Sequence, residues 1–294
     1  MVSPSLLDPA FLQKLERMKI ITKRMMKGTQ SGKRRSRQLG SSIEFADYRT
    51  YTPGDDIRQV DWNAFARLEK LFLKTFYDEQ EIHVTLYLDS SKSMAYGNPS
   101  KFLVGKQLAA AFGYLSLHHF DRVTAYAFDQ KIANHLPFLY GKAKVQALFR
   151  FLEELNPTVE GNINHALTNQ KAIHGKAGVS IIISDFLFEE GYEKAISFIQ
   201  STNQEIILVQ LLSKDELNPE FQGDLKLIDS ESKQDKEITF SPYLLKEYHH
   251  TLDLFLEKIQ HFANQRGISY LLVHPESSIE EIMVQAFKKA NIIR

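Results

Sequence analysis

The stretch VTLYLDSSKSM, residues 84–94, decides the fold class. Apolar Val84, Leu86 and Leu88, interleaved with Thr85 and Tyr87, predict a strand buried on both faces, as in a parallel sheet. The run stops at an acid, Asp89, followed by hydroxyls at alternate positions, Ser91 and Ser93. Open α/β sheets bind their ligands at the carboxyl ends of such strands. One carboxylate and two hydroxyls from a tight loop suit a hard cation such as Mg²⁺, which prefers oxygen ligands and keeps several of its waters. An ordinary Ser-rich turn gives the same pattern, since Asp and Ser are common turn formers. Alone, the pattern leaves both readings open.

Outward from this strand, helical and extended patterns alternate to the end of the chain, which predicts βαβ units around a parallel sheet. Lys101 to His119 places Val104, Leu108, Ala111 and Leu115 on one helical face, and Arg122 to Phe128 alternates as a second strand. A short strand is expected over 131–139 and a helix over 143–155, with a weak helix over 164–173. Val179 to Asp185 and Glu205 to Leu212 are apolar strands separated by a helix over 192–199. Residues 221–237 look like an exposed edge hairpin. Ser241 and Pro242 then open a long helix that Gly267 ends, and a strand over 268–273 precedes a last helix built on Ile279, Ile282, Met283, Ala286 and Phe287.

Composition bounds the class. At 294 residues, 43% hydrophobic and 24% charged, the chain can bury a large core. No apolar run approaches the roughly 18 residues needed to span a bilayer, and the first residues lack a charged region followed by an apolar core, so a soluble cytoplasmic protein is expected. The absence of cysteine excludes disulfides, thiolate metal sites and a cysteine nucleophile. Charge is balanced overall, but no acid occurs from Arg17 to Ile43, and residues 17–37 carry a basic run. Such an arm can bind an anionic surface. Nucleic acid is disfavoured, because no interleaved aromatics or reader motif accompanies the charge. Asp8, Pro9, Phe11, Leu15, Met18, Ile21 and Met25 give an N-cap, a first-turn proline and helical apolar spacing, so a docked amphipathic helix is expected here.

A second apolar strand, IIISDF (residues 181–186), also ends in an acid, Asp185. In a doubly wound sheet the central strands end side by side, so Asp89 and Asp185 are expected to face one another across the switch point, within reach of one cation or its waters. Without a cation, such close carboxylates repel and one tends to keep its proton. Asp185 as a plain helix cap is the other reading.

The segments EFADYR (44–49), YTPGDDIRQVDWNAFAR (51–67) and DSSKSM (89–94) together resemble the bacterial domain-of-unknown-function 58 family, whose members join this signature to a von Willebrand factor A-like domain. The resemblance implies a doubly wound, mostly parallel Rossmann-type α/β domain over 81–294, preceded by an N-terminal helical and extended accessory segment over 1–80. It also implies a metal-ion-dependent adhesion site (MIDAS) holding Mg²⁺ or Mn²⁺. There Ser91 and Ser93 would ligate directly, Asp89 mainly through water, and Asp185 from another loop, where this chain has SDF rather than the commoner DG. The usual Thr ligand falls on Gly161, leaving Asn162 beside it or Thr158 as substitutes. Family members commonly accompany MoxR-type AAA+ ATPases, which implies such a partner and a client protein in a chaperone-like or metal-insertion system. The expected role is therefore non-enzymatic binding of a partner carboxylate.

Asp55, Asp56, Arg58, Asp61 and Arg67 alternate in sign around the single tryptophan, Trp62. They are expected to form an internal ion-pair and hydrogen-bond cluster clamping the N-terminal segment onto the sheet domain, to dock the ATPase, or to bring arginine chemistry to a phosphate. Two rival functions stay open. One is a metal-dependent hydrolase or phosphotransferase using Asp89 as nucleophile, although no second Asp follows two residues later and no GxSxG, P-loop or HExxH motif occurs. The other is an anionic-surface binder using residues 17–37, whose affinity would fall steeply with salt.

Overall fold

The computed structural model describes residues 6–21, 45–76, 82–158, 160–168, 177–219, 223–228, 235–240 and 242–293. Most of the basic run, together with Met25, Glu44 and Ser241, lies outside them. The described residues of 1–27 and 82–294 form one compact unit, and those of 28–81 a second.

Helix α1 (Pro9–Leu15) falls in the larger unit. Asp8 caps it, its Oδ1 accepting from the Ala10 N–H at 3.0 Å, and Phe11 and Leu15 bury its inner face. The helix stops well short of the expected Ile21. Ile20 instead forms an antiparallel bridge with Ile293, and the Ile21 N–H donates to the Ile292 carbonyl at 2.8 Å. Extended pairing with the far end of the chain wins over continued helix. The smaller unit pairs β1 (Phe45–Thr50) with β2 (Phe72–Phe76) antiparallel, with α2 (Trp62–Leu68) between them in sequence.

The larger unit continues as β3 (His83–Asp89), α3 (Lys101–His118), β4 (Arg122–Phe128), β5 (Ile132–Tyr140), α4 (Val145–Glu154), α5 (Ile163–Leu167), β6 (Gly178–Ser184), α6 (Glu193–Ser201) and β7 (Gln204–Leu211). There follow α7 (Lys214–Leu217), β8 (Gly223–Ile228), β9 (Asp235–Phe240), α8 (Pro242–Gln265), β10 (Ser269–Val273) and α9 (Ile279–Glu281), which widens into a π-helical turn over Ile282–Phe287. Six strands make one sheet in the order β10-β7-β6-β3-β4-β5, all parallel except β5, which returns antiparallel along β4. By order of appearance this is the doubly wound arrangement, with its switch point between β3 and β6. The expected hairpin of β8 and β9 forms, but as a separate two-stranded sheet and not as an edge of the main one.

Both sheet faces are covered, as the uninterrupted apolar strands require. Val84, Leu86 and Leu88 enter one core with α1, α3, α4 and Phe287, while Tyr87, Ile182 and Leu208 enter the other with Ile196 of α6 and Ile259 of α8. Helix α3 departs from its sequence pattern. A single apolar face was expected, yet residues all round it are buried, from Phe102 and Val104 to Ala109, Ala110, Phe112 and Leu117. The reason is that α1 lies on its outer side, bringing Leu6, Leu7, Phe11 and Leu15 into the same core.

Candidate metal centre at the switch point

Asp89 is the last residue of β3, and its side chain is buried. The parallel register sets Leu88 beside Ile183, which brings Ser184 level with Asp89 and Asp185 one position beyond. Ser184 Oγ donates to Asp89 Oδ2 at 2.6 Å, and the Ser91 N–H donates to Oδ1 at 2.8 Å. The DxSxS loop is stitched to β4 by the Ser90 N–H and Oγ, both donating to the Phe128 carbonyl at 2.8 and 2.9 Å. Ser91 begins a short 3-10 turn without using its side chain as a cap, and its Oγ lies 3.1 Å from Ser93 Oγ. The two hydroxyls thus converge next to a buried carboxylate.

Burial drives the Asp89 carboxyl up from its ordinary value to about 7, and the neighbouring charge of Asp185 adds to this; the bonds from Ser184 and Ser91 only partly offset it.

Two residues that the sequence did not single out complete the centre. Lys101, at the first position of α3, is wholly buried, and its Nζ lies 2.8 Å from Asp185 Oδ2 and 2.5 Å from Glu216 Oε1. Burial alone would depress this ammonium, but the charges of Asp185 and Glu216 outweigh it and hold the group above the usual lysine value. Glu216 belongs to a capping box on α7, its Oε2 accepting from the Ser213 N–H and Oγ. The Asp185 carbonyl accepts from Gln210 Nε2 at 2.9 Å, which fixes the loop after β6 to β7. SKDE (213–216) is legible as a helix start, yet nothing in it announces a partner for Lys101.

The substitute ligands proposed for the missing Thr are engaged elsewhere. Thr158 Oγ1 donates to Asp129 Oδ2 at 2.6 Å, and Asn162 Oδ1 accepts from the His165 N–H at 2.9 Å as the cap of α5. Gly161 leaves no room for a side chain, because a Cβ there would lie 2.8 Å from both Ser91 Cβ and a ring carbon of Phe188. Nor does Asp185 cap a helix: its Oδ1 accepts from the Leu187 N–H at 3.1 Å in the loop before α6. Phe186, at the position where the resemblance led one to expect Gly, holds a left-handed φ of 59° and is fully buried.

Three acids of the smaller unit, Asp55, Asp56 and Asp61, serve local turns and caps. Arg49 pairs with Asp55 at 2.8 Å and, with Thr52, holds that carboxyl well below the usual range. Asp56 caps a 3-10 turn over Ile57–Gln59, and Asp61 caps α2 while accepting from Tyr48 Oη at 2.8 Å. Trp62 is not the centre of the cluster: it is 57% exposed, edge-on to Phe65. Asp61 takes the buried position because a cap must sit over the helix end, which turns the next side chain outward.

A family model described as "Protein of unknown function DUF58" matches residues 47–253. The chain belongs to the DUF58 family. Among similar proteins, uncharacterized proteins of Mycobacterium bovis and Mycobacterium tuberculosis are 24% identical over 246 residues, covering 82% of this chain and 77% of theirs. Among solved structures, BatB from Bacteroides thetaiotaomicron is similar with a TM-score of 0.44 at 16% identity, over 71% of this chain and 98% of that one. An aerotolerance-related membrane protein from Bacteroides fragilis gives 0.45 at 18% identity, with the same coverage. Among the described residues of this DUF58 chain, no helix is long and apolar enough to cross a membrane.

The donor set fits a hard cation on one side only. Among the described residues no three His, Asp or Glu side chains form a metal-holding group, so a cation here would rely on the Ser91 and Ser93 hydroxyls, Asp89 and water.

Proposed function

We propose that this chain is a non-enzymatic binding module whose switch-point cleft takes Mg²⁺ or Mn²⁺ and, through it, a carboxylate of a partner protein. The observation that carries this reading is the arrangement at the switch point: Asp89 sits buried beside two converging hydroxyls with no cationic partner among the described residues, while Asp185 and Glu216 share the one ammonium of Lys101. Ser91 and Ser93 would ligate directly, with Asp89 and Asp185 acting through water. When bound, the ion supplies a positive centre with coordination positions that the chain does not fill, and these accept the incoming carboxylate. The missing Thr ligand makes weak binding the expectation.

Asp89 is poorly suited to nucleophilic attack, since it is buried and both its oxygens accept hydrogen bonds. That favours the binding module over a hydrolase. The partners, a MoxR-type AAA+ ATPase and its client, are inferred from the family resemblance. Isothermal titration should detect Mg²⁺ or Mn²⁺ binding at millimolar levels, and Asp89→Ala should abolish both that binding and chelator-sensitive capture of the ATPase. No binding at millimolar ion, with capture intact in Asp89→Ala, rejects the reading.

A further inference from the structure

We infer that Lys101 sets the cation affinity of the cleft by occupying Asp185, so that this ammonium is a tethered competitor of the divalent ion. The inference rests on the reading of the cleft as an ion site and adds a residue outside the DxSxS pattern. The cleft is divided. On one side Asp185 and Glu216 are both bound by Lys101 Nζ, at 2.8 and 2.5 Å. On the other, Asp89 is held only by a hydroxyl and a backbone N–H, and has no cationic partner among the described residues.

Lys101 cannot easily leave. It is wholly buried, it opens α3 behind the Ser100 cap, and its own N–H donates to the Tyr96 carbonyl at 2.9 Å. Glu216 is fixed in turn by Ser213, so the ammonium has two preset acceptors. An ion reaching Asp185 must therefore displace a charge already in place or share the oxygen with it, and both weaken its hold. The packing of Gly161 against Ser91 closes the alternative of recruiting a side chain from the opposite loop. The native chain thus holds its ion with the Asp89, Ser91 and Ser93 side, and Lys101 determines how much Asp185 contributes.

The experiment measures Mn²⁺ binding by wild type, Lys101→Met and Lys101→Met/Asp185→Asn, by titration calorimetry at one pH, with circular dichroism confirming the fold of each. Lys101→Met should bind Mn²⁺ about 10–100-fold more tightly than wild type, the range by which groups that orient metal ligands shift affinity. Adding Asp185→Asn should remove that gain. Equal or weaker binding by folded Lys101→Met, with wild-type binding intact, overturns the inference and leaves the binding-module reading standing. Tight binding by the variant with a silent wild type supports the inference and removes the native metal bridge. Silence of both overturns both. If Lys101→Met does not fold, Lys101→Met/Glu216→Gln, which removes one charge of each sign, is compared with Glu216→Gln alone under the same criteria.

Discussion

Asp89 lies out of water at the end of a central strand, and its carboxyl is displaced to about 7 by burial and by Asp185. This has a definite consequence for stability. Between about pH 4 and about pH 7 the native chain holds a proton at Asp89 that the unfolded chain has already released. More protons bound in the native state means that stability falls as pH rises through that window, by something on the order of a few kcal/mol, and levels off above it. Urea denaturation at pH 5 and pH 8 measures the slope, and Asp89→Asn should flatten it. Asp55 acts in the opposite sense and in a lower window. Its carboxyl is depressed by Arg49 and Thr52, so its contribution is present above the ordinary carboxylate value and is lost as pH falls below it.

At the scale of elements, the loop after β6 sets Asp185. It turns immediately at Phe186, in a left-handed conformation that costs a non-glycine residue on the order of 1–2 kcal/mol. Burial offsets the strain: the ring is fully buried and packs edge-on to Tyr192 with centroids 5.7 Å apart, while the Phe186 N–H donates to Ser184 Oγ at 2.9 Å. Phe186→Ala keeps the strain and loses the ring, an expected cost of about 3–5 kcal/mol. Phe186→Gly loses the same ring but relieves the backbone, so it should be about 1 kcal/mol less damaging than Ala. That inverts the usual order of Ala and Gly. Chemical denaturation of the two variants decides it, and a Gly variant less stable than Ala would show that the left-handed turn is unstrained. The sequence shows SDF where a glycine would be natural, but the compensation by Tyr192 and Ser184 is visible only once the loop is folded.

The larger unit draws its two ends together. Leu6, Leu7, Phe11 and Leu15 cover the outer side of α3, Ile20 bridges Ile293, and Tyr114 Oη donates to Glu16 Oε1 at 2.7 Å. Removing residues 1–20 strips five buried apolar side chains from the core, each contributing roughly 1.5–3 kcal/mol before the entropy of ordering the segment is subtracted. Against a typical total stability of about 5–15 kcal/mol, the truncated protein should melt at a much lower temperature and bind a hydrophobic dye. An unchanged melting temperature would contradict this packing. The effect follows from α3 being buried all round, which a helix with one apolar face would not be.

The amino-acid sequence by itself determined whatever is local or periodic. It showed the buried strands, the acids that follow two of them at Asp89 and Asp185, the hydroxyls of the DxSxS loop two residues apart, and the cap at Asp8, whereas the capping roles of Asp56 and Asp61 emerged only in the fold. Strand order and parallel register then brought Asp89 and Asp185 together, as the alternating pattern led one to expect. Tertiary structure alone decided the counter-charge of the site. Lys101 meets Asp185 across 84 positions and Glu216 across 115, and no periodicity links residues so far apart. It also decided that Gly161 has no room for a side chain beside Ser91 and that the Thr158 hydroxyl and the Asn162 amide oxygen are engaged by Asp129 and α5, because those contacts are set by packing between loops, which a linear pattern does not carry.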